Sequence, residues 1–193
     1  MKTEEIMRAI AEHIICTAKE LPPGQEKKLT DAVIKADRIF VYGAGRSGLV
    51  ARAFAMRLVQ LGLTSYVVGE TVTPSLGKKD LLILVSGSGE TSIVLNIAKA
   101  AQPLGTRIGA ITSYPNSSLG RIADIIVCIK GKAKVEIEKD HLKHQIEGVH
   151  SSLTPLGTLF EDTSMVFLDG VVGRLMIQLG KSEVDMKKRH ATV

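Results

Sequence analysis

The hexapeptide "SGSGET", Ser86 to Thr91, packs three hydroxyls, two glycines and an acid directly behind the apolar run "LLILV". A loop that leaves a buried strand and opens a helix aims its backbone N–H groups at whatever lies beyond the strand's carboxyl end. Ser86, Ser88 and Thr91 add neutral donors, and Gly87 and Gly89 let the main chain approach closely. Such a loop suits an anion, and converging N–H and O–H donors hold a phosphate monoester without a lysine. Each part also has a plainer reading, the loop as a turn and Thr91 as a helix N-cap. A second glycine loop, "GAGRSG" from Gly43 to Gly48, carries Arg46 and Ser47. Two such loops at neighbouring strand ends, where α/β sheets bind their ligands, make a phosphate site the expectation.

Gly43, Gly45 and Gly48 also fit the G-x-G-x-x-G of dinucleotide sites, with Glu70 about where a ribose-binding acid would sit. Arg46 and Ser47 at the variable positions and a second hydroxyl-rich loop, which adenosine does not need, argue against that reading. The residues after Thr112 are also too few for a separate catalytic domain. No nucleotide cofactor is expected.

The elements that position these loops follow from five short apolar runs: Ile39 to Tyr42, Ser65 to Val68, Leu81 to Val85, Ile108 to Thr112 and Ile125 to Ile129. Unbroken rather than alternating, they suit strands buried on both faces, hence a parallel sheet. Helical stretches separate them. "SGLVARAFAMRLVQLG" carries Leu49, Phe54, Leu58 and Leu61 as its apolar residues, and "TSIVLNIAKAAQPLG" stops at Pro103 and Gly105. The fold class is α/β, helices flanking a five-stranded parallel sheet on both faces. Two helices over residues 3–20 and 25–36 precede the first strand, and a long one, "LGTLFEDTSMVFLDGVVGRLMIQLG", follows the last. Residues 1–193 form one domain, with 1–37 part of it. Residues 131–152, polar and rich in histidine, read as a long and functional loop.

No apolar run is long enough to cross a bilayer, and the N-terminus lacks the layout of a secretory signal, so a cytoplasmic protein is expected. The net charge of +5 lies in "IKGKAKVEIEKDHLKH" and "MKKRH" without interleaved aromatics, and aromatics total 4%. A solvated basic face, not a nucleic-acid surface, follows. Cys16 and Cys128 form no metal-ligand pair. His-x-x-His in a charged loop is a weak metal signal, so no metal is expected.

The motifs resemble those of the sugar isomerase (SIS) domain family: "GAGRSG", "SGSGET" and "TPLGTLFEDT" stand in the order and spacing of its phosphosugar site. Within that family, "GAGRSGLVARAFAMRLVQLG", "VGETVTP", "LLILVSGSGETS" and the terminal "RHA" resemble the 6-phospho-3-hexuloisomerases. The likeness runs from about Arg38 to His190. It implies metal-free, cofactor-free interconversion of 3-hexulose 6-phosphate and fructose 6-phosphate in the ribulose monophosphate pathway of formaldehyde fixation. It also implies a homotetramer with active sites between subunits. By the same resemblance Ser47, Ser86, Gly87, Ser88, Gly89, Glu90 and Thr91 hold the substrate, and Glu161 is the base. Arabinose 5-phosphate isomerases and non-catalytic phosphosugar sensors share the loops. Chain length speaks against the first, and the absence of a helix-turn-helix ahead of residue 38 against the second.

The chemistry so implied needs one base to move a proton between adjacent carbons, which suits a partly buried carboxylate. Glu161 fits, although a helix-start acid facing the macrodipole is the plainer reading. A group that titrates near neutrality must move the proton between the oxygens, and His190 is the candidate, in trans because related isomerases use a C-terminal histidine that way. His150 is a weaker one, and His141 and His144 receive no role. Arg46 could neutralise the phosphate or the enediolate, or simply pair with an acid. Glu70 could orient Arg46 or a sugar hydroxyl.

Overall fold

The computed structural model describes residues 2–131 and 157–190. Two helices, α1 (Thr3–Glu20) and α2 (Gln25–Lys35), lead into β1 (Ile39–Gly43), α3 (Arg46–Gln60), β2 (Ser65–Val67) and β3 (Leu81–Val85). Then follow α4 (Ser92–Ala101), a 3₁₀ turn (Gln102–Leu104), β4 (Arg107–Thr112), α5 (Ser118–Ile122) and β5 (Ile125–Cys128), before α6 (Thr158–Gln178) and α7 (Glu183–Lys187).

All strands are parallel, in the order β2-β1-β3-β4-β5. Both faces are covered, which is why the strands read as continuous apolar runs. Ile39 and Val41 of β1 and Leu81, Ile83 and Val85 of β3 face a core with α2, α3, α6 and Met186 of α7. Phe40, Leu82 and Leu84 face the other way, onto α4 and α5. Each such fully buried side chain contributes about 1.5–3 kcal/mol of transfer free energy.

The inward face of α3 differs from the expectation at one position. Phe54, Leu58 and Leu61 are buried, but Leu49 is 63% exposed; the buried side chains nearer the start are Val50, Ala51 and Ala55. Successive residues are rotated about 100° on a helix, so Leu49 falls on the outer stripe, with Met56 and Val59.

The strand order reverses between β1 and β3. The loop after β1 runs to α3 on one face and the loop after β3 to α4 on the other, leaving a crevice at their carboxyl ends. Gly43 pairs in register with Val85, so the two glycine loops start side by side. At the opposite sheet end the Arg38 guanidinium grips Asp80, with Nε and Nη2 donating at 3.0 and 2.6 Å.

Candidate active site

The β1 loop is shaped by backbone meeting backbone. A Cβ on Gly43 would stand 2.6 Å from the Ser47 carbonyl, and one on Gly48 2.6 Å from the Gly43 oxygen. These glycines let α3 begin tight against the strand it follows. Gly45, at φ 58°, takes a conformation that glycine adopts without strain. Ser47 is buried in the first turn of α3, while Arg46 reaches outward.

The β3 loop is held largely by its own hydroxyls. Ser86 Oγ shares a 3.0 Å hydrogen bond with Thr91 Oγ1 and accepts the Gly89 N–H at 3.2 Å. Ser86 is buried, and both of these bonds lie within the loop. Ser88 Oγ accepts the Glu90 N–H at 3.1 Å and keeps its own proton to donate. Thr91, the N-cap residue of α4, makes no side-chain cap bond. Gly89, at φ 65°, is pressed on Ser117, whose Oγ would lie 2.0 Å from a Cβ there.

Glu90 reaches the start of α5. Its Oε1 accepts the Ser118 N–H at 2.7 Å, and this bond, the first of its causes, holds the carboxyl below its ordinary value. Of the hydroxyl-rich run, Glu90 therefore ties the loop to the start of α5. A third strand end adds to the tie: Thr112 Oγ1 donates to the Gly87 carbonyl at 3.3 Å, and the Ser113 N–H donates to the same oxygen at 3.0 Å. The hydroxyl-rich stretch "TSYPNSS" after β4 was the signal for this support.

The first turn of α6 closes the site. A Cβ on Gly87 would meet Phe160 Cδ1 at 3.0 Å, so the β3 loop lies directly against the residue before Glu161. Arg46 Nε donates to Glu161 Oε2 at 2.6 Å, and Arg46 Nη2 donates to Asp162 Oδ1 at 3.0 Å. The bond to Glu161, ahead of its charge, raises the guanidinium above its ordinary value. Glu161 is 13% exposed and Arg46 56%, so the carboxylate lies at the inner end of this pair. Asp162 is a member of the cluster that the sequence did not single out. Glu70 pairs with Arg52, at 2.6 Å, and not with Arg46.

His190 follows Arg189, whose side chain packs at the end of α3 opposite Arg46. The Arg189 guanidinium lies over Gly62, with Cζ 3.4 Å from where a Cβ there would stand, just past the end of α3. Arg46 begins that 15-residue helix, and a helix of that length spans about 22 Å. His141, His144 and His150 lie outside the described residues. Among the described residues, no group of three His, Cys, Asp or Glu side chains is placed to hold a metal, and no helix is long and apolar enough to cross a membrane.

A family model of the SIS domain matches residues 32–144, and the chain belongs to that family. A Bacillus subtilis protein named 3-hexulose-6-phosphate isomerase is 36% identical over 193 residues, 100% of both chains. A protein of the same name from Methanocaldococcus jannaschii is 43% identical over 165 residues, 86% of this chain and 82% of its own. The crystal structure of a Methanococcus jannaschii protein, from which a molecular function of 3-hexulose-6-phosphate isomerase was inferred, matches with a TM-score of 0.80 at 37% identity, covering 98% of this chain and 99% of that one.

Proposed function

We propose that this chain is an isomerase interconverting D-arabino-3-hexulose 6-phosphate and D-fructose 6-phosphate through a cis-enediolate. The observation that carries the reading is the junction of the two glycine loops with Glu161: Arg46 bonds it from one side, and Phe160 seats its helix on the other. Similarity along the whole chain to relatives named for that activity supports the choice of substrate.

The phosphate is taken by the N–H groups of Gly87, Ser88 and Thr91, the hydroxyls of Ser47, Ser88 and Thr91, and the start of α4, with Ser86 holding the loop in shape. That leaves the sugar carbons beside Glu161. Glu161 removes the C2 proton of the 3-hexulose; the C–H pair becomes the C2–C3 double bond, and the C3 carbonyl oxygen takes the negative charge. A proton passes from the C2 oxygen to the C3 oxygen through His190. Return of the first proton from Glu161 to C3 re-forms a carbonyl at C2, giving fructose 6-phosphate. No cofactor or metal enters this sequence.

We place His190 in a neighbouring subunit's site, a reading supported by Arg189 before it packing at the end of α3 opposite Arg46. The assembly we propose is a homotetramer with shared sites, working in the cytoplasm. The test is to generate 3-hexulose 6-phosphate in situ from formaldehyde and ribulose 5-phosphate and follow the appearance of fructose 6-phosphate. Turnover is expected; phosphosugar binding with no turnover on hexulose or pentulose phosphates would instead make the chain a sensor.

A further inference from the structure

We infer that Asp162 is a positioning residue of this site, acting on Glu161 through Arg46; the inference rests on the proposed isomerase reading. Glu161 and Asp162 are adjacent on α6, and each accepts from a different nitrogen, Nε or Nη2, of the same guanidinium, which projects from the first residue of α3. A planar guanidinium held through two of its nitrogens, Nε and Nη2, cannot swing about either bond, so its Nε–H fixes Oε2 of Glu161 and leaves Oε1 as the oxygen to react. Oε1 lies above Gly157, 3.5 Å from where a Cβ there would stand, so a side chain at 157 would crowd it.

The need for the second acid lies in the charge balance of the reaction. When Glu161 takes the carbon-bound proton it becomes neutral, and its hold on the guanidinium weakens as the enediolate charge forms. Asp162, which takes no part in the proton transfer, keeps Arg46 in place. These are partly exposed ion pairs, Asp162 38% and Arg46 56%, so they add little to stability and their consequence is orientation. Loss of Asp162 then lowers kcat more than it raises KM, because the β3 loop still holds the phosphate.

Two measurements test this. In a cycle of Asp162→Asn, Arg46→Met and the double variant, Asp162→Asn is expected to lower kcat about ten-fold in the wild-type background and less than about two-fold once Arg46 is gone, with Asp162→Glu restoring most of the loss. An equal effect in both backgrounds, or none in the first, overturns the inference. The second measurement needs no turnover. The Arg46 Nε–H signal in nitrogen-15 NMR should persist in Glu161→Gln, which imitates the protonated acid, and vanish in Glu161→Gln combined with Asp162→Asn. Its loss in the single variant, or survival in the double, contradicts the role of Asp162. Turnover retained by Glu161→Gln would sink the base assignment alone, since the NMR result does not depend on it.

Discussion

Glu161 is where residue-level reading and structure meet most usefully. Its position in "GTLFED" and its kinship marked it in the sequence; its bond to Arg46 comes from a helix that starts 115 residues earlier and could not be read there. Glu161→Gln should fold, bind fructose 6-phosphate and lose turnover by about 10²–10⁴, the range for removing a general base; steady-state kinetics with a binding titration checks it. Glu90 teaches the opposite lesson. Membership of the loop was legible, but the direction of its side chain was set by the Ser118 N–H, which returns to it after β4. Because its folded-state carboxyl sits below the ordinary value, the tie stabilises above the unfolded-state range and is lost as pH falls through it. The difference in Tm between the wild type and Glu90→Gln should therefore be positive at pH 7 and shrink toward zero below about pH 4.

Among the elements, strand positions agree with the sequence to within a residue; the central strands β3 and β4 are buried on both faces, and an unbroken apolar run there has one interpretation. The outer stripe of α3 was harder. Leu49 is apolar yet exposed, and apolar type alone does not say which way a helix is turned. The glycine loops were legible as loops, while the reason for each glycine is steric. Gly48→Ala would push a Cβ to 2.6 Å from the Gly43 carbonyl oxygen, backbone against backbone. We expect a cost of about 1–3 kcal/mol from this overpacking, read as a lower midpoint in denaturant, together with weaker phosphosugar binding as α3 shifts from β1.

For the whole molecule, the question is where the C-terminal residues act: Arg189, next to His190, packs over Gly62 at the end of α3 opposite Arg46. The surface fits association: α1 buries only His13 and Thr17 among its 18 residues, while Met56, Val59 and Val72 are exposed beside the β2 edge. Sites shared between subunits make a strong forecast. Glu161→Gln and His190→Ala should each be nearly inactive, and unfolding and refolding them together should restore part of the activity, since some mixed sites then hold both native residues. No recovery would leave His190 without a role in trans. Pattern reading located the loops, but the expectation of sites shared between subunits came only from kinship, because spacing along one chain carries no information on a second.

The most direct test of the account is a crystal structure with fructose 6-phosphate bound. The account predicts the phosphoryl group within about 3 Å of the donors of Ser47 and Ser88 and the start of α4, and C2 or C3 within about 3.5 Å of a Glu161 oxygen. A phosphate held elsewhere, or a sugar chain pointing away from Glu161, would contradict it.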